Sequence, residues 1–93
     1  MKNNIFDLTG KVALITGAGG LLGPKHAEAI LEYGGKVILT DHHYDRAKLQ
    51  SERLNKIYGE GSSTYYHMDV TDPRSVKAVV DIVDRIDSTG TKV

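Results

Sequence analysis

The feature that most constrains this chain is the join near residues 15–24. There a continuous apolar run ends, and three evenly spaced glycines precede an amphipathic segment. The run Lys11-Val12-Ala13-Leu14-Ile15-Thr16 shows no polar alternation, so it reads as a strand buried on both faces. Behind it, Gly17, Gly20 and Gly23 have G-x-x-G-x-x-G spacing. From about residue 21 to 33, Ala27, Ile30 and Leu31 recur at helical spacing, and Gly34-Gly35 supplies a left-handed helix stop. A buried strand that feeds a helix through a glycine turn is the first part of a crossover unit.

The rest of the chain repeats the unit. Residues 36–41 are a second β-rich run with no interior Gly or Pro. Residues 44–58 carry an apolar stripe of Ala47, Leu54, Ile57 and Tyr58, ended by Gly59. Residues 64–69 form a weaker third strand. Asp72 is a good N-cap, and Pro73 stands at the first helical position, where no amide donor is needed. Val76, Val79, Val80, Val83 and Ile86 then mark one face of a third helix.

This alternation predicts an α/β fold, a Rossmann-type parallel sheet with crossover helices in the order β-α-β-α-β-α. Right-handed crossovers give strand order 3-2-1, with the first two helices on one face and the third starting towards the other. The chain stops at Lys92-Val93, where a fourth strand should begin, so residues 1–93 read as a single partial domain. Without that strand, residues 12–15 become an exposed apolar edge through which copies should self-associate.

Composition removes several classes of function. Twelve Lys+Arg balance twelve Asp+Glu, so the basic surplus expected for a nucleic-acid or acidic-lipid partner is missing. Zero cysteines exclude a disulfide framework, a thiolate zinc site and a cysteine nucleophile. The longest apolar run, residues 12–15, is far short of a membrane span. Met1-Lys2-Asn3-Asn4 leads into no apolar signal region, and the expectation is a cytoplasmic protein.

The loop Thr16-Gly17-Ala18-Gly19-Gly20-Leu21-Leu22-Gly23 has the makings of a diphosphate cradle. Gly17 permits the tight turn out of the strand, Gly20 lets backbone approach an anion, and Gly23 allows the helix to pack close to the sheet. The helix start, with Leu21 and Leu22, turns unpaired amide donors and a positive dipole end towards the anion. Pro24 costs the helix nothing in its first turn.

Asp41 ends the second strand, eighteen positions after Gly23, where a carboxylate can accept hydrogen bonds from both hydroxyls of an adenosine ribose. It would repel a 2′-phosphate, and no Arg or Lys at positions 42 or 43 offsets that, so the cofactor implied is NAD. His42 follows at the adenine side. Asp69 and Val70 end the third strand at the same sheet edge, where they suit an adenine amino group and ring. Asp69 is equally a strand-end turn residue beside Asp72. The four histidines, His26, His42, His43 and His67, show no metal-ligand spacing and read as exposed side chains, with no metal site expected.

Thr16-Gly17-x-x-Gly20-x-x-Gly23, the acidic residue after the second strand and Asp69-Val70-Thr71 resemble the N-terminal part of a short-chain dehydrogenase/reductase. The opening Leu8-Thr9-Gly10-Lys11-Val12-Ala13-Leu14-Ile15-Thr16-Gly17 is similar too, and the resemblance runs from about Phe6 to Val93. It implies that the glycine loop binds the cofactor diphosphate, Asp41 the ribose, and Asp69 with Val70 the adenine. The common family loop T-G-x-x-x-G-x-G would have Gly where Leu21 stands. The variant here occurs in extended members and in some of ordinary length, so the subfamily stays open.

Such enzymes transfer hydride with a Tyr-x-x-x-Lys pair and an upstream Ser, after an Asn-Asn-Ala-Gly-like stretch. Tyr44-x-x-x-Lys48 has the spacing, but it begins the second helix beside Asp41, near the adenosine half. There the two are neighbours on a helix surface, and no catalytic residue is assigned. The reading is the NAD-binding portion of an oxidoreductase acting on an alcohol/carbonyl substrate, inactive as this chain alone. The alternative is a free-standing, non-catalytic nucleotide-binding or interaction module. A flavodoxin-like receiver domain, which would lack the diphosphate glycines, is a weaker rival.

Overall fold

The computed structural model describes residues 7–20, 22–87 and 91–92. Within them the chain runs β1 (Lys11–Ile15), α1 (Gly23–Glu32), β2 (Lys36–Asp41), α2 (Tyr44–Tyr58), β3 (Ser63–His67), α3 (Pro73–Asp87) and β4 (Thr91–Lys92). All strand pairs are parallel, in spatial order β3-β2-β1-β4. The 3-2-1 order read from the sequence is therefore the order observed.

The fourth strand corrects one expectation. Thr91 and Lys92 pair with Lys11 and Val12, so a short fourth strand is present and covers the start of the β1 edge. Thr91 and Lys92 carry no apolar signal in so short a run, so the sequence reading placed the start of a fourth strand here and did not count it as formed.

β2 lies between two neighbours, with Val37 set against Ala13 and Ser63, and Leu39 against Ile15 and Tyr65. After the exposed Lys36 all its residues are buried, as a central strand covered on both faces requires. By the alternation of the pleat, Ala13, Ile15, Val37 and Leu39 share a face, and they cluster with Ala27 and Leu31 of α1 and Leu54 of α2. Ile38 faces the other way and is equally buried, as is Val79 of α3.

The two crossover helices end as their sequences suggest. Gly34 takes a φ of 93°, a conformation costly for any side chain, and its N–H reaches Leu31 O while the Gly35 N–H reaches Ile30 O. α2 is pinned to the start of β3 by Asn55, which accepts the Ser63 N–H at 2.8 Å and donates to the Ser63 carbonyl at 3.2 Å. Ser51 and Ser63 meet beneath it in a buried hydroxyl pair at 2.7 Å. Asp72 caps α3 by accepting the Arg74 N–H at 2.9 Å.

Two stripe residues depart from expectation. Ile57 is 59% exposed at the margin of its stripe, while Ser51, four residues after Ala47 and three before Leu54, is buried with them. Val80 of α3 is 40% exposed, while Val76 and Val83 are half-buried around Val79.

Candidate functional site

The carboxyl ends of β1, β2 and β3 open onto a cavity of about 560 Å³. In a parallel sheet this edge gathers every loop that leaves a strand, and ligands settle there. Gly17 and Gly20 line it from the first loop, Asp41 and His42 from the second, and Asp69 and Val70 from the third. Six of the eight residues singled out in the sequence thus share one cavity. Leu22 does not line it; it stands at the N-cap of α1, 63% exposed. Leu21 lies outside the described residues, as do the first six residues.

The first loop is a tight turn held at both ends. Gly17 has a φ of 61°, the Gly20 N–H closes the turn on Gly17 O at 2.9 Å, and the Ala18 N–H ties it to Thr40 O at 2.9 Å. Gly23 sits against this turn. A methyl at 23 would fall 2.7 Å from both the Ala18 Cα and the Gly17 carbonyl oxygen, which are backbone atoms that cannot swing away. α1 approaches the sheet edge only because that position is bare. Its first intrahelical bond is His26 N–H to Leu22 O, so the Gly23 and Lys25 amides before it have no partner within the helix.

Asp41 is the best-held polar side chain of the site and only 5% exposed. Its Oδ2 accepts the Gly19 N–H at 2.9 Å, and its Oδ1 accepts the His43 N–H at 2.7 Å. Burial works against its charge, but those two donors and the nearby Arg46 outweigh it and hold the carboxyl below the usual carboxylate range. Each carboxylate oxygen accepts more than one hydrogen bond, so acceptor capacity remains for a ligand.

Asp69 serves as a turn residue while it lines the cavity. Its Oδ1 accepts the Thr71 hydroxyl at 2.6 Å and the Thr71 N–H at 2.9 Å, and these bonds hold its carboxyl below the usual range. Val70 stands 65% exposed beside it, an apolar surface open to the cavity. The rings of His42 and His67 lie 6.1 Å apart, and among the described residues no cluster able to hold a metal ion forms.

Tyr44 is turned elsewhere. Its ring packs edge-on against Tyr65 at 5.4 Å, and the hydrogen bond between the two pushes the Tyr65 hydroxyl above its usual range. It does not line the cavity.

Gly19 and Arg46 are among the residues of the site that escaped the sequence reading, as is His43, whose N–H holds Asp41. Gly19 supplies the N–H that fixes Asp41, although it falls outside the glycine spacing. Arg46, in the first turn of α2, lines the cavity beside Asp41. Positions 42 and 43 carry no cation, as the sequence shows, but Arg46 brings one to the cavity from the next helix. The signal was there in principle, because a residue three after His43 in a helix that starts at Tyr44 returns to the same face.

The profile of the short chain dehydrogenase family matches residues 11–88. The chain belongs to the short-chain dehydrogenase/reductase family. An uncharacterized oxidoreductase of Bacillus subtilis is 36% identical over 84 residues, which cover 90% of this chain and 29% of that protein. A short-chain dehydrogenase/reductase structure from Mycobacterium marinum superposes with a TM-score of 0.75 at 35% identity, covering 84% of this chain and 30% of that one. L-sorbose reductase from Gluconobacter frateurii, solved with NADPH and L-sorbose, superposes at 0.75 with 30% identity, over 82% of this chain and 28% of that one. The chain spans less than a third of the length of these relatives.

Proposed function

We propose that this chain is the cofactor-binding portion of an oxidoreductase that moves hydride between NAD(H) and an alcohol or carbonyl substrate. The observation that carries the reading is Asp41, a buried carboxylate whose oxygens are oriented by the Gly19 and His43 amides at the mouth of the glycine-loop cavity. The residues fit a dinucleotide. The bare positions at Gly17, Gly20 and Gly23 let backbone and helix start close on a diphosphate. Asp41 accepts from the ribose hydroxyls, and Asp69 with Val70 faces the adenine side.

NAD, when bound, supplies the hydride acceptor or donor of the reaction. The residues of this chain bind and orient its adenosine half. Tyr44 and Lys48 hold no part of that chemistry, because Tyr44 is engaged with Tyr65 away from the cavity. Residues 1–93 are therefore a partial domain on this reading, without turnover of their own. Among the described residues no helix is long and apolar enough to cross a membrane.

Titration of the chain with NADH, followed by fluorescence, tests the reading. Saturable binding is expected, with Asp41→Ala lowering the affinity by about tenfold or more through loss of charge-assisted hydrogen bonds. Absence of saturable binding, or an Asp41→Ala variant that binds as tightly as the parent, overturns it.

A further inference from the structure

Leu49 and Ile57 on the outer side of α2 each expose more than half of their surface. Residues four apart on a helix form an inclined row, and Arg53 stands between these two on theirs. Glu52 and Lys56 belong to the neighbouring row. Between the two rows lies a hollow of about 460 Å³, lined by Leu49, Gln50, Glu52, Arg53, Lys56 and Ile57. A groove between two such rows is the shape that accepts a row of another helix.

The cation in the middle of the apolar row is already matched. Arg53 Nη2 donates to Glu28 of α1 at 2.8 Å, and its Nε donates to Gln50 at 2.9 Å. A guanidinium carries five N–H donors, so further ones remain for a second acceptor. Glu52, in the neighbouring row, has no ion-pair partner among the described residues. The row thus presents two apolar side chains around a cation, and the groove beside it presents apolar walls and a carboxylate. The face is complementary to itself.

We propose that this face binds a second copy of the chain, α2 against α2, in an antiparallel two-fold contact. With the axis beside Arg53, Leu49 of one copy lies level with Ile57 of the other, and each row sits in the other's groove at a crossing angle of about 50°. Glu52 of each copy then comes within about 1.5 Å of axial level with Arg53 of the other. Each guanidinium lies between Glu28 of its own chain and Glu52 of the second copy, which offsets the approach of the two cations. A formal net charge of zero sets up no long-range repulsion between copies. One helix on another is a small interface, so a weak dimer with a dissociation constant of about 1 mM is expected. None of these residues lines the glycine-loop cavity, and the inference stands apart from the dinucleotide reading.

Amide NMR shifts recorded from about 0.05 to 2 mM test the proposal. They are measured on the Leu14→Lys variant, which keeps the outer edge of β1 beyond Val12 from contributing. Concentration-dependent shifts are expected along residues 49–57. Ile57→Glu should remove them, and Glu52→Arg should weaken the association by about tenfold, because it sets like charges together. Both positions are exposed, and the same spectra verify that each variant is folded. No dependence on concentration in α2 overturns the proposal and leaves the face to a different partner. Shifts that survive Ile57→Glu overturn it as well. A Glu52→Arg variant that associates as strongly as its parent overturns the two-fold arrangement.

Discussion

The main-chain N–H of Gly19 donates to Oδ2 of Asp41 at 2.9 Å, across 22 positions of sequence. This bond joins the loop that leaves β1 to the acidic end of β2, two parts of the candidate site. The orientation of the carboxylate thus depends on the loop, and the loop's course depends on the carboxylate.

The first prediction concerns Gly19→Ala. The added methyl meets the Arg46 stem and the Asp41 carboxylate together, so one of them must move. Overpacking of this kind costs about 1–3 kcal/mol. We expect a lower urea midpoint and an NADH affinity reduced by about tenfold, because the displaced carboxylate no longer meets the ribose. A variant equal to the parent in both measurements would show that the bond is incidental.

Acid should act on the site in a defined direction. The Asp41 and Asp69 carboxyls are both held below the usual range in the folded chain. Their ionised forms therefore contribute stability that is complete above the ordinary carboxylate range. It is lost as pH falls through the lowered values, below about pH 4. Asp41→Asn should be less stable at neutral pH and lose less on acidification from about pH 4 to 2. Urea midpoints across that range decide the matter, and parallel acid profiles for parent and variant would contradict it.

Asn55→Ala tests the tie between α2 and β3. Asn55 satisfies both the N–H and the carbonyl of Ser63, at the first residue of the edge strand. Removing it leaves two backbone groups of a buried residue short of partners, which costs about 1–3 kcal/mol. Faster amide exchange in β3 than in β2 is the expected signature. Uniform exchange across both strands would mean that Asn55 is not the tie.

How much of this was legible in the sequence follows from how local each cause is. β2 and α2 were readable at the residue because Gly34-Gly35, Asp41 and Gly59 act within a turn of where they stand. The close packing at Gly23 and the place of Asp41 at the cavity were readable because strand, loop and helix set their surroundings. Gly19 was not, since its need for a bare backbone comes from Arg46, which α2 carries back across the loop. The burial of Ser51 escaped for a similar reason. Ser51 stands on the face of Ala47 and Leu54, but a serine gives no apolar signal, and its burial is explained only by the hydroxyl of Ser63. The place of β4 was legible from the alternation of elements, but its pairing was not, because two polar residues give no strand pattern and only Lys11 and Val12 define them.

The partial cover of β1 leads to the last prediction. β4 pairs only with Lys11 and Val12, so among the described residues the outer edge of β1 beyond Val12 has no strand beside it. Leu14 lies on that stretch and is 36% exposed. An open edge next to an exposed leucine is a template for a second chain, both through ladder hydrogen bonds and through apolar burial. Sedimentation at about 0.1 mM should therefore show dimers or larger species, a concentration at which association requires only about 5.5 kcal/mol of binding free energy. Natural edge strands are protected by charge, above all by lysine. Leu14→Lys should accordingly shift the chain towards monomer, with circular dichroism confirming that the variant keeps its fold. A parent chain that sediments as a monomer throughout would show that Thr91 and Lys92 protect the edge by themselves.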